Sequence, residues 1–283
     1  MPSLSLLGQA LVSGLLAGGL YGLLGLGLSL SWGLLRLVNL AHFALAFLGA
    51  YVTFQLGNVW HLSIAAAIAV ILPSFFLFGM ALHAMFRRFA VNEFGSLLVT
   101  FGVAVIIESA IQVIWTADFR RFESPWNSVS YKIGAIYVPL LELMAFLTAA
   151  ALAALTWTWL TRTYVGKGLR ASAEDAQIAA AFGVDHARQS YILSGLCAMI
   201  AGVAGVFVAL ISTLAPSQIW AWLGVVFAVV IIGRLGNPVG ALLAGMLIGA
   251  CEGVAMAVIS PAWSPMIAFS VLIAILLWQP KWL

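Results

Sequence analysis

The chain has 283 residues, of which 64% are hydrophobic and 7% charged, with a formal net charge of +3. Soluble domains carry about 25% charged residues, so a soluble fold is excluded. The apolar runs are continuous rather than alternating, which excludes a transmembrane β-barrel, and the small charge without a basic, aromatic-laced stripe gives no sign of a nucleic-acid partner.

Cut at charges, prolines and turn residues, the sequence predicts an all-α, polytopic helical membrane protein. Its spans are Leu6–Leu30, Leu37–Leu56, Leu62–Leu82, Phe94–Ile114, Pro139–Leu160, Gln189–Ile211, Ile219–Gly233, Val239–Ile259 and Pro265–Trp278. The seventh and ninth fall short of the about 20 residues that cross a core about 30 Å thick, so about 8 to 10 crossings are expected. Together they make one transmembrane domain over 1–283, with a polar loop at about 161–188. No Lys or Arg precedes the first apolar run, and that run outlasts the core of a signal peptide, so it reads as a retained span.

Glycines fall in register. Gly14, Gly18 and Gly22 recur every fourth residue in the first span, and Gly245, Gly249 and Gly253 in the eighth. Such stripes let helix backbones approach closely, as a packing seam or a sliding surface. Between the fourth and fifth spans, Thr116 to Val138 carries Asp118, Arg120, Arg121, Glu123, Pro125 and Trp126. This loop is too short to be a ligand-binding domain but long enough to receive one.

The 161–188 loop is the longest water-compatible stretch. Ser172 is expected to cap a short helix, with Asp175 three residues on as a variant capping box and Glu174 beside it at the positive dipole end. Gly183 is placed to end that helix in a left-handed turn, and Asp185 to cap the next one. Ala179, Ala180 and Phe182 offer a low apolar side suited to docking on another protein.

Ionisable groups within spans are expensive and mark candidate functional sites. Glu108 and Gln112 share a face of the fourth span, Glu252 lies inside the eighth, and Asn39 and His42 share a face at the inner start of the second. Each is a candidate to line a solute pathway; the competing role is hydrogen bonding between helices. Glu142 lies near the outer surface, where hydration accounts for it. A faint echo relates Arg36-Leu-Val-Asn39 to Arg234-Leu-Gly-Asn237, each after a glycine-rich run. Cys197 and Cys251 lie in apolar runs and are expected to stay unpaired, and the histidines are scattered. With no nucleotide-binding or nucleophile motif, the expectation is no catalytic residue, no metal site and no enzyme activity in this chain.

Lys and Arg set the orientation. With the 161–188 loop inside, Arg36, Arg87, Arg88, Arg162, Lys167, Arg170, Arg188, Arg234 and Lys281 are cytoplasmic, against Arg120, Arg121 and Lys132 outside. The expected N-terminus is then periplasmic and the C-terminus cytoplasmic.

Several stretches carry a family resemblance. They are Gly18-Gly-Leu-Tyr-Gly-Leu-Leu-Gly-Leu-Gly-Leu-Ser-Leu-Ser-Trp-Gly-Leu-Leu-Arg-Leu-Val-Asn-Leu-Ala-His42, Leu48-Gly-Ala-Tyr51, Gly168-Leu-Arg-Ala-Ser-Ala-Glu-Asp175, Gly233-Arg-Leu-Gly-Asn-Pro-Val-Gly-Ala241 and Gly249-Ala-Cys-Glu252. Over essentially its whole length the chain resembles the smaller permease subunit of bacterial ABC importers for branched-chain (hydrophobic) amino acids. The resemblance implies a bacterial inner-membrane location and a cytoplasmic coupling helix, here Ser172 to Gly183, docking on two ATPase subunits that bind ATP and Mg. It also implies a second homologous permease, or a second copy, and a periplasmic solute-binding protein. No cofactor is implied for this chain itself. The importer pattern Glu-Ala-Ala-x-x-x-Gly is only partly kept, because the triplet before Gly183 reads Gln177-Ile178-Ala179. After Asn39-Leu-Ala-His42 the chain has Phe43-Ala44-Leu45 where the family has a small or acidic residue. Branched-chain amino acids are the expected substrate class, with urea, short amides or aromatic carboxylates as alternatives. A stand-alone channel or ion-coupled transporter working through Glu108 and Glu252 is the competing function.

Overall fold

A computed structural model describes residues 3–259 and 263–278; Lys281 of the charge count lies outside them. The chain begins with α1 (Leu4–Leu35), started by the Ser3 hydroxyl accepting from the Leu6 amide. Next come α2 (Ala41–Phe54), prolonged by one π turn over Gln55–Val59, then α3 (Ile64–Arg88) and α4 (Glu93–Trp115). The loop between α4 and the next long helix folds into an antiparallel hairpin of β1 (Ser130–Ile133) and β2 (Ile136–Pro139), turning at Gly134 with φ 64°. Beyond it follow α5 (Leu140–Arg162), α6 (Tyr164–Glu174), α7 (Ala176–Ala181), α8 (His186–Ile211), α9 (Leu223–Gly233), α10 (Pro238–Val258) and α11 (Ser264–Trp278). Seven stretches are long and apolar enough to span a bilayer. With α2 and α11 the predicted nine segments are all present among the described residues.

The interior belongs to α1, α2 and α8, whose side chains are largely buried, whereas α3, α4 and α5 expose most of their surface. Small residues explain the closest contact. α10 runs antiparallel to α1, and the two glycine stripes predicted separately face each other, Gly14 against the Gly249 backbone and Gly18 against that of Gly245. Gly253 meets Ala10, and Gly22 meets Leu242. At the end of this seam the turn between α9 and α10 docks on α1, where the Gly236 amide donates to the Ser29 carbonyl at 2.9 Å. Both arginines of the sequence echo sit in these turns with positive φ, Arg36 at 53° and Arg234 at 68°.

Two spans are not helical throughout, which the hydropathy pattern hides. After α1 the chain turns back as a non-helical strip, 37–40, and α2 begins only where the His42 ring meets the Leu24 carbonyl at 3.0 Å. At 1.5 Å per residue, Leu24 lies about 16 Å up α1 from its Leu35 end, so α2 starts about halfway across. Open backbone at that depth needs internal partners. α4 supplies them: the Val38 amide donates to Ser96 Oγ at 3.2 Å and the Leu40 amide to Thr100 Oγ1 at 3.0 Å. Replacing Thr100 by Val keeps the shape but strands the buried Leu40 amide, a loss of about 1–3 kcal/mol. A lowered unfolding midpoint in detergent for Thr100→Val, with Thr100→Ser close to the parent, is the expected result; equal midpoints for Val and Ser would show that the strip does not need the bond.

The second irregular piece is 212–222, leading into α9. It explains why the seventh span looked short, since the first part of that crossing is irregular backbone and one 3-10 turn over Pro216–Ile219. Leu214 and Arg120 exchange both backbone hydrogen bonds, at 2.9 and 2.7 Å, which ties this piece to the loop between α4 and α5.

Candidate functional site

The polar loop expected to hold one helix from Ser172 to Gly183 holds two. α6 starts where Thr163 Oγ1 accepts from the Gly166 amide, and Gly166 lies directly against the Leu160 backbone, which no side chain would permit. Ser172 therefore does not cap a helix; it sits in the last turn of α6, buried, and the capping box is not formed. Asp175 caps α7 by itself, its Oδ1 accepting from the Gln177 and Ile178 amides at 2.9 and 3.0 Å. Ser172 gave way because Leu169 on the same helix needs burial, and a break at Asp175 turns that side inward.

The stop signal lies where the sequence put it. Gly183 has φ 81°, the Val184 amide donates to the Ala179 carbonyl and the Gly183 amide to that of Ala180, the paired bonds of a Schellman end. Asp185 caps α8 through the Arg188 amide at 3.0 Å. The Arg36 guanidinium donates to the Ala173 carbonyl at 3.0 Å, fastening the negative end of α6 to the end of α1.

The exposed side of α7 differs from the one expected. Ala179 is 4% exposed and packs inward, whereas Ala180 and Phe182 face out together with Ile178, which the sequence reading passed over. Ile178 and Phe182 are 59% and 84% exposed, beyond the membrane-length helices, with Glu174, Asp175 and Gln177 around them. An exposed aromatic and an exposed branched aliphatic with an acidic rim have the makeup of an interface centre.

The intramembrane polar residues do not form one cluster. Glu252 is 2% exposed, and its Oε2 accepts from the Tyr21 hydroxyl at 2.9 Å. The Tyr21 ring meets Trp222 edge-on at 5.8 Å. Glu108 is half-buried on α4; its Oε2 accepts from Trp220 Nε1 at 2.8 Å, and Gln112 one turn on is exposed. Glu108 thus bonds directly to Trp220 of the irregular piece 212–222, whereas Glu252 bonds to Tyr21, whose ring in turn packs on Trp222. Glu142, expected to be hydrated, lines a cavity of about 190 Å³ with Tyr21, Ser212 and Trp222, and its Oε2 is buried without a hydrogen-bond partner. The reason is that α5 starts right after β2 and presents its first turn to α1 rather than to the outside.

Asn39 and His42 fall at the break before α2. His42 is fully buried, bonded to Leu24, with its ring filling the space left by Gly27. Asn39 is also buried, inside the non-helical strip. The residues that hold this strip, Ser96 and Thr100, were missed; their signal was a Ser/Thr pair four apart in an otherwise apolar span. Trp220 and Trp222 were missed too, because they fall inside the apolar run Ile219–Gly233 and read as ordinary span residues. Among the described residues no cluster of three or more His, Cys, Asp or Glu could hold a metal.

Comparison with known proteins agrees with this architecture in extent. The family described as the branched-chain amino acid transport system permease component matches residues 10–276. The chain is similar to the high-affinity branched-chain amino acid transport system permease protein BraD of Pseudomonas aeruginosa, 23% identical over 287 residues, covering 96% of this chain and 94% of the relative. The permease proteins LivH of Escherichia coli K12 and Salmonella typhimurium are also 23% identical, over 290 residues, covering 96% of this chain and 93% of each relative. No solved structure matches.

Proposed function

The chain belongs to the permease components of branched-chain amino acid transport systems, a family of transporters, and from that premise we propose that it is the membrane-spanning subunit of an ATP-driven importer for branched-chain or similar hydrophobic amino acids. The observation that carries this reading is α7: a short helix capped at both ends, beyond the membrane-length helices, offering Ile178 and Phe182 outward. Two ATPase subunits take that surface, bind ATP and Mg, and transmit work through α6, α7 and the start of α8. The end carrying α6 and α7 faces the cytoplasm, which puts the N-terminus and the β hairpin on the periplasmic side, where a solute-binding protein docks.

A second permease, homologous or identical, covers the open face of α4. The support is chemical: Gln112 is exposed on a membrane helix one turn from the half-buried Glu108, and polar groups in that place face protein or a water-filled path rather than lipid. Glu108 is about 10 Å from the Trp115 end of α4 by helix rise. Transport then alternates access to a path between the two permeases, with 212–222 as the part nearest its outer mouth.

Reconstitution in liposomes tests the proposal. Uptake of radiolabelled leucine is expected only with the ATPases, the binding protein and ATP present, and with no response to a proton or sodium gradient alone. Gradient-driven flux by this chain alone would instead favour the ion-coupled reading through Glu108 and Glu252.

A further inference from the structure

Beside the coupling helices lies a cavity the transport reading does not use. It measures about 330 Å³ and opens between the Arg87 end of α3 and the start of α8, with Leu37 and Val91 as its apolar wall and His83, Arg87, His186 and Ser190 as its polar one. No carboxylate lines it. Tyr191 organises the cationic side: the His83 ring packs edge-on against it at 4.9 Å, and the Arg87 guanidinium stands 5.4 Å from its centroid. Arg87 makes no ion pair among the described residues.

Two observations point to a ligand. His83 is 6% exposed, yet its Nδ1 is buried without a hydrogen-bond partner, and His186 Nδ1 is in the same position. Buried polar atoms of this kind are ordinarily satisfied. Secondly, the cavity borders the first turn of α8, where the His186 and Arg188 amides are taken by Val184 and Asp185 but the amide of the lining residue Ala187 is left open to an anion. The nearest acid, Asp185, is already bonded to the Arg188 amide. A guanidinium, two imidazoles and a helix start around one opening are a donor set for a tetrahedral oxyanion.

We propose that this cavity is a binding site for a phosphate group, bridging α3 to α8 at the root of the coupling loop. The group is either the headgroup phosphate of an anionic lipid at the membrane boundary or a free phosphate. Bound there, it holds the start of α8, and with it the Gly183 turn, against α3.

The full-length chain in detergent is challenged with phosphatidylglycerol, phosphatidylcholine and inorganic phosphate, reading lipid adducts by native mass spectrometry and unfolding midpoints in parallel. Preferential retention of phosphatidylglycerol, weakened about tenfold by Arg87→Gln and by His83→Gln but not by Arg88→Gln, supports the site with a lipid source. A midpoint raised by inorganic phosphate in the parent and in Arg88→Gln, but not in Arg87→Gln, supports it with a free source. Arg88, exposed and one residue on, carries the same charge outside the cavity. Equal losses for Arg87→Gln and Arg88→Gln, or no preference for any phosphate, overturn the proposal.

Discussion

Changing Ile178 and Phe182 together to Asp is expected to abolish ATP-driven uptake and co-purification of the ATPases while leaving the chain inserted and folded. Both side chains stand clear of the bundle, at 59% and 84% exposure, so the monomer loses little packing. The elements that hold α7 are elsewhere, in the Asp175 cap, the Gly183 turn and the buried Ala179. An interface, by contrast, concentrates its energy in such apolar anchors, with roughly 2 kcal/mol or more lost per truncated hot spot. At about 1.4 kcal/mol per decade, two such losses weaken docking by roughly a thousandfold, before the cost of burying two carboxylates. Uptake and ATPase recovery are measured beside the unfolding midpoint. Normal uptake by the double variant would remove α7 from the coupling path, and a fallen midpoint would show that these side chains support the fold instead.

Enlarging the glycine seam is expected to have the largest effect on folding. A Cβ on Gly249 would stand 2.6 Å from Gly18 Cα, and one on Gly245 would stand 2.8 Å from Gly22 Cα, so what it meets is main chain. Main chain in a helix cannot rotate aside as a side chain can. Even one added methyl forces α1 and α10 apart along their length, and overpacking of this kind costs about 1–3 kcal/mol. In a bilayer no hydrophobic drive restores the contact, because lipid tails are as apolar as leucine. Gly18→Leu with Gly249→Leu should give aggregated or poorly extracted protein by size exclusion. Gly102→Ala on α4 is the control, since a Cβ there meets nothing within 4 Å and helix propensity improves by roughly 0.5–1 kcal/mol. A monodisperse, thermally unchanged double leucine variant would mean that the two stripes do not hold the helices together.

The seam shows how far linear pattern reaches. Gly14, Gly18 and Gly22 announced a close-packing face, and so did Gly245, Gly249 and Gly253, because spacing of four on a helix puts residues on one side. That the two faces are partners, antiparallel and in register, is a pairing of residues about 230 apart in the chain, and nothing in either stripe specifies it.

Membrane helices were legible because a bilayer demands long apolar runs and supplies no other solvent for the backbone. Gly183 and Asp185 were legible for a similar reason: a left-handed turn and a helix start have narrow local chemistry, and each acts within a few residues of itself. Ser172 and Asp175 mark the limit, since both suit a cap and only the burial of Leu169 and Ser172 against the bundle decides between them. The breaks at 37–40 and 212–222 lay beyond that limit altogether. Their backbone is tolerated because Ser96, Thr100 and Arg120 come to it from other parts of the chain, so a composition that reads as helix folds as irregular backbone. Local chemistry thus determined where helices run and stop, while tertiary contact alone decided where the membrane-spanning backbone opens and that Glu108 meets Trp220 and Glu252 meets Tyr21, because those depend on hydrogen-bond partners brought from distant sequence.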